Sequence, residues 1–274
     1  MPATQQSLPF ESARTPDAVP LLQARGVSKS FDGLRALDDV ELDIHHGEIF
    51  GLIGPNGAGK TTFFDILTGF CTPDAGGIVF DRVVLPRGEP RRVAERGIAR
   101  SFQNARLFDD LSALENVLIG AHRRFRNGLW RTLARLPGLR VAERLAHEEA
   151  RALLDYVGLG GHADTLAGTL PHGDRRRLEI ARALAAHPTL LALDEPAAGM
   201  NATETDDLAR LLRRIRADGT TVLLIEHDMA LVMELCDRVA VLDAGRKIAE
   251  DTPAAVQGDP TVIEAYLGGP RHAG

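Results

Sequence analysis

The sequence predicts an α/β protein whose central sheet is mostly parallel. Short apolar segments typical of buried strands alternate along the chain with segments whose apolar residues follow helical spacing. Because a strand that is apolar throughout must be covered on both faces, this alternation predicts a parallel sheet between layers of helices. The buried strands are expected at residues 48–53, 190–193, 221–225 and 239–242.

Length and composition place the chain among globular proteins. It has 274 residues, of which 44% are apolar and 26% charged, so it can bury a large core and is not disordered throughout. The net charge of −6 argues against a dedicated DNA- or RNA-binding protein, and two cysteines are too few for a disulfide framework. Since no apolar run is long enough to cross a bilayer and no signal peptide is recognisable, we expect a cytosolic protein.

Local patterns predict where order begins. Residues 1–20 hold four prolines among polar residues and are expected to form a mobile N-terminal tail, with order starting near Leu21. Farther on, Val40, Leu42 and Ile44 alternate with polar neighbours, which predicts a half-buried strand.

Two helices are expected to begin with a capping box. Ser112 precedes Glu115 by three positions, and Asn201 stands in the same relation to Glu204. The second of these helices should end before Gly219, and its apolar face comprises Leu208, Leu211, Leu212 and Ile215. Another helix should end at Gly158, and its apolar face comprises Leu153, Leu154 and Val157.

Residues 123–149 form a basic insertion with two possible interpretations. It contains the only tryptophan, Trp130, and the arginines Arg123, Arg124, Arg126, Arg131, Arg135, Arg140 and Arg144. A solvated helical hairpin on the surface is the simpler interpretation. The alternative is a docking surface for a partner or for anionic lipid headgroups.

A glycine-rich loop predicts a site for a nucleoside triphosphate. Between an expected strand and an expected helix, the chain matches the pattern G-x-x-x-x-G-K-[ST] with the residues Gly54, Pro55, Asn56, Gly57, Ala58, Gly59, Lys60, Thr61 and Thr62. Glycines allow successive amides to point at phosphate oxygens, and the helix that follows adds partial positive charge. Lys60 is expected to reach the β- and γ-phosphates, and the Thr61 hydroxyl is expected to bind Mg²⁺.

Two carboxylates end the apolar strand at residues 190–193. Asp194 falls at the carboxyl end of this strand, the edge where parallel sheets present residues to ligands, and it is expected to hold Mg²⁺ through water. Glu195 follows directly and is expected to orient the attacking water or to accept its proton. Exposed loop acids are the alternative, which the phosphate loop upstream disfavours.

Together with these motifs, three more make the chain resemble the ATP-binding cassette ATPases. Gln103 stands at the place of the family's Q-loop and His227 at that of its switch histidine. The place of the signature motif is occupied by Leu170, Pro171, His172, Gly173 and Asp174. Phe31 falls where the family stacks an aromatic ring on adenine. The resemblance implies a P-loop fold over residues 21–274, with an antiparallel β subdomain and a helical subdomain at roughly 104–187.

The resemblance also implies chemistry and departures from it. It implies an ATPase in which Gln103, like Thr61 and Asp194, contacts Mg²⁺, while the signature residues act on ATP held by a second cassette. Pro171 replaces a serine of the usual signature, and Asp174 replaces a glutamine and could instead cap the helix that follows. Asn201 replaces the aspartate of the family's D-loop, which leaves the strength of the partner contact open.

Finer features are similar to ATPase subunits of branched-chain amino acid importers. These features are residues 178–184, residues 195–201, the basic insertion and the C-terminal residues 263–268. The similarity implies a peripheral protein on the cytoplasmic face of the membrane, two permease subunits, a related or identical ATPase partner and an extracytoplasmic solute-binding protein. Alternatives are an importer of urea or amides, a lipid exporter, a soluble cassette ATPase in DNA repair or on ribosomes, and a regulatory module that hardly hydrolyses ATP.

Overall fold

The computed structural model describes residues 19–101, 107–124 and 139–267. The expectations for the tail before residue 19, for Gln103, for Trp130 and for most of the basic insertion lie outside these ranges. The strands are β1 (Leu22–Phe31), β2 (Leu34–Ile44), β3 (Ile49–Ile53), β4 (Ala75–Phe80), β5 (Val83–Val84), β6 (Ile98–Arg100), β7 (Leu190–Asp194), β8 (Thr221–Ile225), β9 (Arg238–Asp243) and β10 (Arg246–Asp251). The α-helices are α1 (Lys60–Leu67), α2 (Pro90–Glu95), α3 (Ala113–Arg124), α4 (Leu139–Tyr156), α5 (His172–Leu184), α6 (Ala202–Ala217), α7 (Met229–Leu235), α8 (Pro253–Gln257) and α9 (Pro260–Leu267).

A six-stranded sheet in the order β10-β9-β3-β8-β7-β6 forms the centre of the protein. The five strands from β9 to β6 run parallel, and β10 joins β9 in antiparallel orientation. Every residue of β3, β7 and β8 is buried. The predicted parallel core sheet is therefore confirmed. Its central strands β3, β7 and β8 are apolar apart from Thr221 and Asp194 at strand ends, because both faces of the sheet are covered there.

Alternation along the central strands divides the core into two parts. On one face, Phe50 and Leu223 belong to an apolar cluster with helix α1 and with the four-stranded antiparallel sheet β2-β1-β4-β5. On the other face, Ile49 and Leu224 belong to a cluster with helices α3 to α6. The predicted half-buried strand is β2, whose Val40, Leu42 and Ile44 point into the first cluster. The fold class implied by the resemblance is thus confirmed.

Both predicted capping boxes are present. The Ser112 hydroxyl accepts a hydrogen bond from the Glu115 amide, and the Glu115 carboxylate accepts one from the Ser112 amide. The Asn201 side chain accepts from the Glu204 amide, and the Glu204 carboxylate accepts from the Asn201 amide. Helix α6 then extends to Ala217, two residues before Gly219, as its apolar pattern predicts.

The expectation that Asp174 caps a helix is wrong. Helix α5 begins earlier, at His172, and its N-cap residue is Pro171, whose side chain makes no capping hydrogen bond. Asp174 lies in the first turn, where its carboxylate pairs with Arg177 one turn ahead. A proline favours the extended backbone that an N-cap residue adopts, so the helix starts before the aspartate, whose charge is favourable in the first turn.

Among the described residues, no helix combines the length and the apolar character that crossing a bilayer requires.

Candidate nucleotide-binding site

The phosphate loop joins the end of β3 to the start of α1. Gly54 has φ +148°, and a Cβ at this position would overlap the carbonyl oxygen of Leu242 on β9. Gly59, the residue before helix α1, has φ +101° and lies against the Ala36 carbonyl. Both positions therefore require glycine, and the loop passes close to the backbone of two neighbouring strands.

The turn between β9 and β10 is hydrogen-bonded to the phosphate loop. The Gly245 amide donates to the Ala58 carbonyl oxygen at 3.1 Å, and the Gly245 carbonyl accepts from the Asp38 amide at 2.8 Å. Three segments that are distant in the sequence are thus joined through main-chain atoms. Farther along the chain, an interaction with the Gly54 amide opposes the rise in the pKa of Tyr266 that burial causes.

The ammonium group of Lys60 lies inside the curve of the loop. It donates to the carbonyl oxygens of Gly54 at 2.7 Å and Pro55 at 3.1 Å, and Lys60 is only 8% exposed. Burial lowers the pKa of Lys60, while the charges of Glu195 and Asp194 oppose that change. The lysine therefore lies near the acid pair, as the sequence motifs predict for a shared triphosphate site.

The rest of the loop differs in exposure. Asn56 and Gly57 are exposed, Ala58 is buried, Thr61 at the start of helix α1 is exposed and Thr62 is partly buried. The exposed amides of the loop and the Thr61 hydroxyl are therefore accessible to a ligand, and the N-terminus of α1 adds partial positive charge there.

The acid pair occupies the end of β7. Asp194 is 3% exposed, and burial, partly offset by the charge of Arg100, raises its pKa to about 6. Glu195 adopts φ +48°, an unusual backbone conformation for a residue with a side chain, and its amide donates to the Ile225 carbonyl at 2.8 Å. The Glu195 carboxylate consequently lies beside the end of β8.

His227 is brought to the same place by the end of β8. Its Nδ1 atom lies 3.7 Å from the Glu195 carboxylate, and its side chain is largely exposed. The structure thus brings Lys60, Asp194, Glu195 and His227 together at the carboxyl edge of the parallel strands. An acid beside a histidine, facing a lysine in a loop of amides, can bind an anion and orient a water molecule against it.

Oxygen ligands suited to Mg²⁺ are present at this edge. Within the described ranges, no group of three or more His, Cys, Asp or Glu side chains could hold a metal ion by itself. The Asp194 carboxylate and the Thr61 hydroxyl fit Mg²⁺ instead, because this ion is commonly bound by one or two protein oxygens together with substrate phosphates.

Phe31 and the signature residues lie on other elements, at the end of β1 and around the start of α5. Phe31 ends β1 with 48% of its surface exposed, and the Lys29 ammonium lies 5.2 Å from the centre of its ring. The signature residues Leu170, Pro171, His172, Gly173 and Asp174 surround the N-terminus of α5. There, Gly173 lies so close to Glu204 that a Cβ would contact its carboxylate at 2.7 Å.

Sequence reasoning missed two residues of the site. Glu226 is a fully buried acid between β8 and His227, and an acid that ends an apolar strand directly before a candidate histidine was a usable signal. Tyr266 reaches the phosphate loop from helix α9, and no local pattern indicates that contact.

Comparisons with known proteins identify the family. A family model described as "ABC transporter" matches residues 37–198, and a model described as "Branched-chain amino acid ATP-binding cassette transporter" matches residues 246–272. The chain belongs to the ABC transporter family. This membership makes it an ATP-binding cassette ATPase whose activity is coupled to transport, as the motifs predict.

Two relatives match this cassette along nearly their whole length. The high-affinity branched-chain amino acid transport ATP-binding proteins BraF of Pseudomonas aeruginosa and LivG of Escherichia coli are each 44% identical over 250 residues. The aligned region covers 91% of this chain and 98% of each relative. The ribose import ATP-binding protein RbsA of Rhodococcus jostii is 34% identical, and the match covers 47% of that protein.

Solved structures of cassettes have the same fold. A nucleotide-free cassette from an ABC transporter superposes with a TM-score of 0.79 at 31% identity, covering 90% of this chain and 99% of that one. A cassette in its ADP conformation gives 0.79 at 30% identity, covering 91% and 99%. A dimeric cassette in a post-hydrolysis state with ADP and Pi gives 0.72 at 25% identity, covering 85% and 98%.

Proposed function

We propose that this cassette is the ATPase subunit of an importer for branched-chain or other hydrophobic amino acids. The observation that carries the proposal is the 44% identity over 98% of BraF and LivG, whose names state branched-chain amino acid transport. The match of residues 246–272 to a branched-chain model supports it independently of the ATPase motifs.

In the proposed mechanism, the phosphate loop binds the triphosphate. The loop of residues 54–62 curves around the β- and γ-phosphates and offers them its exposed amides, and the Lys60 ammonium exchanges its loop carbonyls for phosphate oxygens. The ring of Phe31 stacks on adenine, since about half of its surface is exposed. Thr61, Gln103 and, through water, Asp194 would hold Mg²⁺, which would supply positive charge to offset that of the phosphates.

Glu195 and His227 act on the γ-phosphate in this mechanism. Glu195 orients the attacking water and accepts its proton, and His227 contacts the γ-phosphate. The carboxylate is suited to this role because the hydrogen bond from the Glu195 amide to the Ile225 carbonyl fixes the Glu195 backbone at the sheet edge. Most of the acceleration then comes from positioning and from offsetting phosphate charge.

The partners follow from the same proposal. Two cassettes, identical or related, close over two nucleotides, and the signature residues 170–174 of each act on the ATP of the other. The segment at roughly 104–160 transmits this motion to two permease subunits, so the cassette works at the cytoplasmic face of the membrane. The solute itself is selected by the permease and by an extracytoplasmic binding protein.

The replacement E195Q tests the proposed chemistry. We expect the assembled transporter with this variant to bind MgATP with near-normal affinity and to lose at least about a hundredfold in turnover, because the water loses its base. The exposed residue Glu234 provides the matched control, and E234Q should retain wild-type turnover. Wild-type phosphate release by E195Q would remove Glu195 from this role.

Transport itself tests the proposed solute. The chain is purified with the membrane proteins that bind it, reconstituted in vesicles and supplied with leucine, urea, a short amide and a lipid substrate. ATP-dependent uptake of leucine is the expected result. Uptake of urea or amide alone, or purification with ribosomes or DNA in place of membrane proteins, would contradict the proposal.

A further inference from the structure

Glu226 is a buried acid inside the proposed catalytic region. It follows β8 directly, precedes His227, and is 0% exposed. Burial raises the pKa of its carboxyl group, and hydrogen bonds from neighbouring amides act in the opposite direction. A buried carboxylate usually has hydrogen-bond partners for both of its oxygens, because its desolvation is unfavourable without them.

Each carboxylate oxygen of Glu226 accepts a hydrogen bond from a different loop. Oε1 accepts from the Ala197 amide at 2.9 Å, and Oε2 accepts from the His227 amide at 3.2 Å. Ala197 lies two residues after Glu195, in the loop that leaves β7. One side chain therefore joins the loop of the acid pair to the loop of the histidine.

The backbone at Glu195 depends on such support. A residue with a side chain at φ +48° is held there by its surroundings, and it relaxes when they are removed. Two hydrogen bonds fix this loop to the end of β8: the Glu195 amide to the Ile225 carbonyl, and the Ala197 amide to Glu226. Glu195 lies on one side of these two hydrogen bonds and His227 on the other, and their side chains are 3.7 Å apart.

We propose that Glu226 is a positioning residue for ATP hydrolysis. By accepting hydrogen bonds from the Ala197 and His227 amides, it holds the Glu195 side chain next to His227. The inference rests on the proposed roles of Glu195 and His227. Glu226 makes none of the contacts that hold Lys60, so its effect falls on turnover and leaves MgATP binding unchanged.

The isosteric replacement E226Q tests the role without changing the volume of the side chain. Two amide donors require two acceptors, and a glutamine presents one acceptor and one donor, so one of the two loops is released. We expect kcat for phosphate release by the assembled transporter to fall about tenfold or more, while KM for MgATP stays within about twofold.

Glu48 provides the matched control at the opposite edge of the sheet. It is 8% exposed, burial raises its pKa, and it accepts from the His45 amide at 2.6 Å and from Arg238. E48Q therefore disturbs a buried, hydrogen-bonded acid that directly precedes β3, at the end of this strand opposite to the catalytic region. It is expected to lower thermal stability and to retain the wild-type kcat.

Hydrogen exchange gives a second readout that activity does not determine. In E226Q, peptides containing residues 195–198 should exchange amide hydrogens faster than in wild type, and peptides covering the phosphate loop should not change. If E226Q does not fold, E226D carries the same test, because its shorter carboxylate cannot reach both amides and kcat should fall with KM retained.

The outcomes separate the inference from the proposed function. Loss of turnover in E195Q but not in E226Q overturns the role of Glu226 alone, as does an equal loss of kcat in E48Q. Wild-type turnover in E195Q overturns the proposed chemistry and the inference with it. Reduced kcat in E226Q, with KM and E48Q unaffected, supports the inference.

Discussion

Replacing Asp194 by asparagine should make the free energy of unfolding less dependent on pH. Burial raises the pKa of this carboxyl group to about 6, compared with an ordinary value of 3.8. The folded chain therefore binds this proton more tightly than the unfolded chain does. The corresponding stability is present in acid and is lost as the pH rises through the folded pKa, because the ionised carboxylate remains desolvated.

The magnitude follows from the difference between the two pKa values. At about 1.36 kcal/mol per pKa unit, the ionised Asp194 lowers the free energy of unfolding by about 3 kcal/mol at neutral pH relative to strong acid. Integration over pH with these values places about half of that change between pH 5 and pH 8. D194N removes the titration, so its stability relative to wild type should rise by this amount over the same interval.

Urea unfolding measured by far-UV circular dichroism tests the prediction on the full-length chain, without nucleotide and with EDTA. Wild type and D194N are compared at pH 5 and at pH 8. The control D164N makes the same replacement at an aspartate whose side chain is 86% exposed. The difference in unfolding free energy between D164N and wild type should be the same at the two pH values. A stability difference between D194N and wild type that is equal at the two pH values would refute the reasoning.

Three further replacements test other parts of the molecule. F31A removes an exposed ring and should weaken ATP binding about fivefold or more, measured by calorimetry, with little loss of stability. N201A breaks the capping box of α6 and should lower the free energy of unfolding by about 1 kcal/mol, measured by urea unfolding. G54A places a Cβ on the Leu242 carbonyl and should lower the free energy of unfolding by about 2 kcal/mol or more and abolish ATP binding.

Each of these replacements has a matched control. L34A removes a more exposed apolar side chain beside Phe31 and should leave ATP binding unchanged. N201D keeps the accepting oxygen and should retain stability, and N201A with wild-type stability would contradict the capping argument. A Cβ at Gly57 meets no atom within 4 Å, so G57A should be less destabilising than G54A, and equal losses would contradict the steric explanation.

Four strands of the central sheet, β3, β7, β8 and β9, could be predicted because they are short and mostly apolar. The edge strands β6 and β10 were not predicted, since they contain charged residues. Every second residue of β3 faces each of the two core clusters, so local composition alone indicates burial on both sides. The acid pair could be predicted for a related reason, since carboxylates directly after a buried strand must lie at its carboxyl edge. The positions of Lys60, Asp194 and Glu195 therefore followed from motifs and strand ends.

Other features depend on contacts that no local pattern reveals. β3 lies between β8 and β9, which follow it by about 170 residues or more, and only packing of the whole chain decides that order. The hairpin between β4 and β5 turns on Asp81 and Arg82, both at positive φ, although the sequence there has none of the usual glycines. Similarly, one of the two amides that bind Glu226, that of Ala197, lies in a loop 29 residues earlier in the chain.

The junction at Gly245 is made of main-chain atoms alone. The amide and the carbonyl of this one residue join the phosphate loop to Asp38 near the middle of β2. Displacement of the loop is therefore passed to the antiparallel sheet. Because no side chain takes part, neither hydrogen bond depends on the side chain of Asp38 or Ala58. A proline would break the junction because it lacks the amide hydrogen. Any side chain would strain it as well, since a Cβ at φ +82° would lie 2.8 Å from the Ala36 carbonyl oxygen.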